Sequence, residues 1–93
     1  MSEEPQRATL EIVNKLGLHA RAAVLLVQSA SRFDAEVTVS KDGQSVNGRS
    51  IMGIMMLAAE QGSRIDVETR GPQAREALAA ITELVANKFN EAE

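Results

Sequence analysis

The sequence predicts an α+β fold, an open-faced sandwich in which a four-stranded antiparallel sheet carries three helices on one face. Three observations point there. Four short stretches alternate apolar and polar residues at period two, as half-buried strands do. Three others place apolar residues at helical spacing. The two kinds interleave in the order β-α-β-β-α-β-α. Strands with one apolar face each form a sheet covered on one side and wet on the other.

Residues 1–7, MSEEPQR, read as a polar tail, with residues 8–89 as a single domain and 90–93 as a short C-terminal tail. From Thr9 to Val13, Leu10 and Ile12 share one face and Thr9 and Glu11 the other, which predicts the first strand. Asn14 to Leu18 contains Gly17 and reads as a loop. Ala20, Ala23, Val24, Val27 and Ala30 then fall at helical spacing in an Ala- and Leu-rich stretch, predicting a helix to about Ser31. Ala35, Val37 and Val39 alternate with polar residues in a second strand. Asp42-Gly43 is a hairpin turn signal that leads to a short strand about Val46. Ser50 is a good N-cap before Ile51, Met52, Ile54, Met55, Met56 and Leu57, so a short helix follows, weakened by Gly53. Ile65, Val67 and Thr69 alternate with Asp66 and Glu68 in the fourth strand. Gly71-Pro72 opens the last helix with Pro in its first turn, and Ala74, Leu78, Ile81, Leu84, Val85 and Phe89 give it one continuous apolar stripe.

Composition narrows the function. A chain of 93 residues builds one modest core, so a site should lie on the surface. Its formal net charge is −3, with no Trp, no Tyr and two Phe, which argues against nucleic-acid binding by a basic face or by base stacking. Without cysteine there is no disulfide, thiolate metal site or thiol catalysis, which suits the cytoplasm. The N-terminal stretch does not read as a signal peptide, and no apolar run approaches a membrane span. No His/Asp/Glu cluster has metal-site spacing, and no cofactor is expected.

The one histidine, His19, stands just before the first helix. The opening N–H groups of a helix, here those of Ala20, Arg21 and Ala22, lack intrahelical partners, and the positive end of the dipole lies there. Such a place binds anions. A histidine there can be a nucleophile whose phosphoryl adduct is held by those N–H groups, with Arg21 as a planar cation for phosphate oxygens. Taken alone, His-x-Arg is better explained by a capping histidine and a solvated arginine.

The stretch Gly17-Leu18-His19-Ala20-Arg21-Ala22-Ala23 closely resembles the active-site signature of the HPr family, the histidine-containing phosphocarriers of bacterial phosphotransferase systems. A second signature, Arg49-Ser50-Ile51-Met52, opens a short helix at the family's spacing. The resemblance covers about residues 8–88, and the paired motifs are highly specific. It implies a strand order 1-4-2-3 and a stoichiometric carrier without turnover of its own. It implies that His19 takes a phosphoryl group at Nδ1 from Enzyme I and gives it to acceptors of the enzyme IIA type, in sugar uptake or another output. Arg21 matches the arginine beside that group. Ser50 matches the serine that a dedicated HPr kinase/phosphorylase modifies in many members. Ile51, Met52 and Met55, with Val24 on the first helix, match the docking surface. The chain is expected to be a monomer.

Two departures from the family pattern stand out. Ala22 replaces the usual Pro after the arginine, which predicts a looser but working site. Gln28 and Ser31 stand where sugar-system members often have lysines, and GPQAREALAA is similar to the nitrogen-related branch; both tilt the expectation toward a regulatory carrier. The strand and helix order is shared with ferredoxin-like acylphosphatases, but loop 14–18 offers Asn14 and Lys15 and no arginine for a phosphate cradle. A regulatory binding module of this topology would have no need for a histidine at a helix start. A Met-rich stripe is more often core than interface, yet so short a helix cannot bury Met52, Met55 and Met56 together, and Met suits adaptable surfaces.

Overall fold

A computed structural model describes residues 4–93. The elements run β1 (Gln6–Glu11), α1 (Ala20–Ser31), β2 (Glu36–Lys41), β3 (Gln44–Asn47), α2 (Ile51–Met56), β4 (Arg64–Arg70) and α3 (Ala74–Ala86), followed by a tight turn at Lys88–Asn90. The sheet is antiparallel throughout, in the order β1-β4-β2-β3. β4, central and last in sequence, pairs with β1 from Gln6↔Thr69 to Glu11↔Arg64 and with β2 from Glu36↔Arg70 to Ser40↔Asp66.

The alternation read from the sequence is the pleat of this sheet. Val37 and Val39 on β2 and Ile65, Val67 and Thr69 on β4 are buried, while Glu36, Arg64 and Asp66 face solvent. Thr69, polar yet fully buried, satisfies its hydroxyl by donating to the Ala74 carbonyl at 2.7 Å. The helices cover the apolar face, α3 lying on β1 and β4, α1 touching both α2 and α3, and α2 resting on β3.

Four details differ from the sequence reading. β1 starts at Gln6, inside the segment read as tail, because Gln6 and Arg7 continue the ladder with β4; residues 1–3 of that segment lie outside the described residues. The buried stripe of α1 is Ala22, Ala23, Leu26 and Ala30. Ala20, expected on the inner face, is exposed because it lies off the stripe that begins at Ala22 and Ala23. Pro72 precedes the α3 N-cap, Gln73, instead of lying within the first turn. The apolar stripe does not continue as helix to Phe89. α3 ends at Ala86, and Lys88, Phe89 and Asn90 all take positive φ of 59°, 53° and 64°. Such backbone is costly for side-chain-bearing residues. The turn buries Phe89 completely in the core and reverses the chain, which carries residues 91–93 back over the loop before α1.

Candidate functional site

His19 is the N-cap of α1: its backbone is extended (φ −76°, ψ −179°) and its carbonyl accepts the Ala23 N–H at 2.9 Å. Its side chain makes no capping hydrogen bond, so capping is not what the ring does. The N–H groups of Ala20, Arg21 and Ala22 precede the first intrahelical bond and open beside it.

The loop that delivers His19 is tightly specified. Leu18 donates its N–H to the Ala59 carbonyl at 2.8 Å. Gly17 has φ +68°, and a Cβ there would lie 2.5 Å from the same Ala59 oxygen, so only glycine fits. Asn14 is completely buried beneath the loop. Its Nδ2 donates to the Gly17 carbonyl at 2.9 Å and to Glu91 Oε1 at 3.1 Å.

Glu91 is the residue that sequence reasoning missed. Its second carboxylate oxygen bonds Nε2 of His19. Backbone and side chain secure residues 91–93, a C-terminal strap, further: the Lys15 N–H donates to the Glu93 carbonyl at 2.9 Å, and Lys15 Nζ lies 3.3 Å from Glu93 Oε1. Desolvation pushes the Glu91 carboxyl up. The hydrogen bonds from His19 and Asn14, with the charges of His19 and Arg21, outweigh it and hold the carboxyl below the usual range. When the ring is neutral, the carboxylate on Nε2 keeps the proton there and leaves the lone pair at Nδ1. Arg21 stands exposed on the first turn, close enough for its charge to be felt at Glu91.

Ala22, where proline is usual, is fully buried, so its small side chain is part of the core.

The second motif assembles beside the first. Ser50 caps α2, its Oγ accepting the Gly53 N–H at 3.0 Å. A Cβ at Gly53 would sit tightly, 3.1 Å from Val46 and 3.2 Å from the Ser50 Oγ. Arg49, read only as part of the signature, ties the start of α2 to the α1–β2 connection, donating from Nη2 to the carbonyls of Phe33 at 2.8 Å and Ala35 at 2.9 Å. Only Ile54 of α2 is buried. Ile51, Met52 and Met55 are exposed, Met52 to 71%, and Val24 on α1 is half-buried. Leu16 at 67% and Met56 are further exposed apolar residues outside the expected set. Among the described residues no group of three or more His, Asp or Glu side chains could hold a metal, and no helix is long and apolar enough to cross a membrane.

A four-stranded open sandwich that presents one histidine at a helix start, beside an arginine and an exposed apolar helix, defines a small phosphoryl-carrier domain. Residues 6–87 match the family model described as PTS HPr component phosphorylation site. The phosphocarrier protein HPr of Neisseria meningitidis serogroup A is 51% identical over 87 residues, 94% of this chain and 98% of that protein. The HPr of Cupriavidus necator is 51% identical over 82 residues, 88% and 92% of the two chains. The crystal structure of HPr-C-His from Thermoanaerobacter tengcongensis superimposes with a TM-score of 0.91 at 44% identity, covering 95% of this chain and 99% of that one. The chain belongs to the HPr family, the phosphocarrier proteins of the phosphotransferase system, and is a carrier, not a catalytic enzyme.

Proposed function

We propose that His19 accepts a phosphoryl group at Nδ1 from a phosphohistidine of Enzyme I and passes it to enzyme IIA-type acceptors in the cytoplasm. The observation that carries this reading is the Glu91 carboxylate on Nε2, which leaves Nδ1 as the nucleophile of the neutral ring. The Nδ1 lone pair forms the new N–P bond as the donor's N–P bond breaks. The ring then becomes cationic, with its Nε2 proton still held by Glu91. Arg21 and the amides of Ala20, Arg21 and Ala22 receive the phosphoryl oxygens. Each chain is a complete working unit, since histidine, arginine and docking face all come from one domain. Ile51, Met52 and Met55, with Val24, form that docking face, and Leu16 and Met56 extend it. Ser50 is a regulatory phosphorylation site for an HPr kinase/phosphorylase. Gln28 and Ser31 are exposed on α1, which keeps that rim free of lysine and favours a regulatory or nitrogen-related output.

The test is an intact mass after incubation with Enzyme I and phosphoenolpyruvate. One acid-labile phosphoryl group is expected on the wild type and none on His19→Ala; an adduct that survives in the variant overturns the assignment.

A further inference from the structure

We propose that α2 is an oxidation-sensitive modification site, where two-electron oxidants of the peroxide class convert Met52 and Met56 to sulfoxides and close the docking face until they are reduced.

The chain has no cysteine and four methionines, and three of those four, Met52, Met55 and Met56, lie in the six residues of α2. Its sulfur chemistry is thus concentrated on one short helix. A thioether packed in a core is shielded from an oxidant in water, and one standing in solvent is not. Met52 is 71% exposed, Met56 64% and Met55 40%. Met52 and Met56 are four residues apart, so they are neighbours on one face of the helix, with Met55 adjoining. Ile54, the buried residue of α2, points the other way, so no core packing depends on the two exposed thioethers. Ile51 and Leu16 are also exposed, but as hydrocarbons they are inert to the same oxidant.

The chemistry is balanced with hydrogen peroxide alone. A lone pair of the thioether sulfur attacks one peroxide oxygen and forms the S–O bond as the O–O bond breaks. The other oxygen leaves as hydroxide and takes up a proton to become water. Sulfur is oxidised by two electrons and peroxide is reduced by two. A dithiol reductant reverses the step, returning the thioether and water and itself becoming a disulfide.

Each sulfoxide replaces a flexible apolar tip with a polar, uncharged group that accepts hydrogen bonds. A partner burying that tip must strip water from the new oxygen without returning a hydrogen bond, which disfavours the complex. The inference rests on the docking face proposed above. Oxidation touches neither the Glu91 contact on His19 nor the Ser50 cap, so the chemical step at Nδ1 is unchanged. It also differs from a phosphate on Ser50. No charge is added, so salt does not relieve the inhibition, whereas the effect of a phosphate is screened.

The test treats the full chain with hydrogen peroxide and locates the added oxygens by mass spectrometry of proteolytic peptides. Met52 and Met56 are expected to be oxidised before Met55. The half-saturating carrier concentration for phosphoryl transfer from Enzyme I is expected to rise roughly tenfold, in the same ratio at low and high salt, with the plateau unchanged. The two methionine sulfoxide reductases, one for each epimer, are expected to restore it. In Met52→Leu with Met56→Leu, treated and untreated protein are expected to behave alike. Thermal melts followed by circular dichroism are expected to be the same before and after oxidation. A half-saturation that peroxide leaves unchanged while Met52→Asp raises it overturns the oxidation site and leaves the docking face standing; no effect of either overturns both. A response that survives in the double leucine variant, or a melt lost on oxidation, puts the effect outside the α2 surface and also overturns the proposal.

Discussion

The carboxylate of Glu91 holds Nε2 of His19 across a separation of 72 residues, and its other oxygen accepts the Asn14 amide. This contact fixes the tautomer and the plane of the ring. Charge-assisted bonds of this kind contribute about 1.5–3 kcal/mol. Glu91→Gln keeps the shape and loses the charge that stabilises the cationic phosphohistidine ring. Phosphoryl acceptance, followed by rapid quench, is expected to slow by roughly tenfold, equivalent to about 1.4 kcal/mol. An unchanged rate would show that the strap is only structural.

The same carboxyl gives the fold an acid-sensitive component. Because its pKa is lowered in the folded chain, the contribution is complete above the ordinary carboxylate pKa. It is lost as pH falls through the lowered value. Melting temperature of the wild type is expected to fall across that acid window more steeply than that of Glu91→Gln, and parallel curves would refute the linkage.

Arg21→Ala is expected to slow transfer while leaving the melting temperature unchanged, since the side chain is exposed and outside the core. Loss of a donor to transition-state charge costs on the order of 2.7–4 kcal/mol. Equal single-turnover rates for variant and wild type would show that the guanidinium is idle.

Met52→Asp is expected to weaken the encounter with both Enzyme I and acceptor. The Met52 side chain is 71% exposed, so the melting temperature is expected to move by little. Titration calorimetry with each partner is the measurement. Undiminished binding to either partner would place that partner's footprint elsewhere.

Phosphorylation of Ser50 is expected to inhibit acceptance at His19 through docking. The Ser50 Oγ already accepts the Gly53 N–H at the start of α2, so a phosphate there keeps the helix. Its charge of about −1.5 to −2 stands beside the apolar surface a partner buries. For Ser50→Asp, which mimics it in part, the half-saturating carrier concentration for Enzyme I should rise with the plateau unchanged. A depressed plateau would mean that the effect reaches His19 itself.

Much of this was legible in the sequence. Alternation at Val37, Val39, Ile65 and Val67 specifies the sheet faces, and Ser50 before an apolar run specifies α2, because these are local patterns. His19 and Arg21 were legible because a short motif places them at a helix start. Glu91 was not: its role depends on the left-handed turn at Lys88–Asn90, which has no glycine to announce it and hides at the end of a helical stripe. Arg49 was read as signature, while its bonds to Phe33 and Ala35 arise from a long-range approach that no spacing reveals. Leu16 looked like a loop residue, and only the folded chain shows it standing out toward solvent.

The Leu18 N–H on the Ala59 carbonyl, with Gly17 pressed against the same oxygen, ties the loop of His19 to the segment that follows α2. Histidine and α2 are thereby held side by side, so a visitor on the proposed docking face would cover both. On that proposal, loading and unloading are mutually exclusive visits to a single berth. Throughput is then governed by turnover of the berth: raising either partner far above the other fills it with the wrong visitor, and traffic between them is greatest when the two are matched.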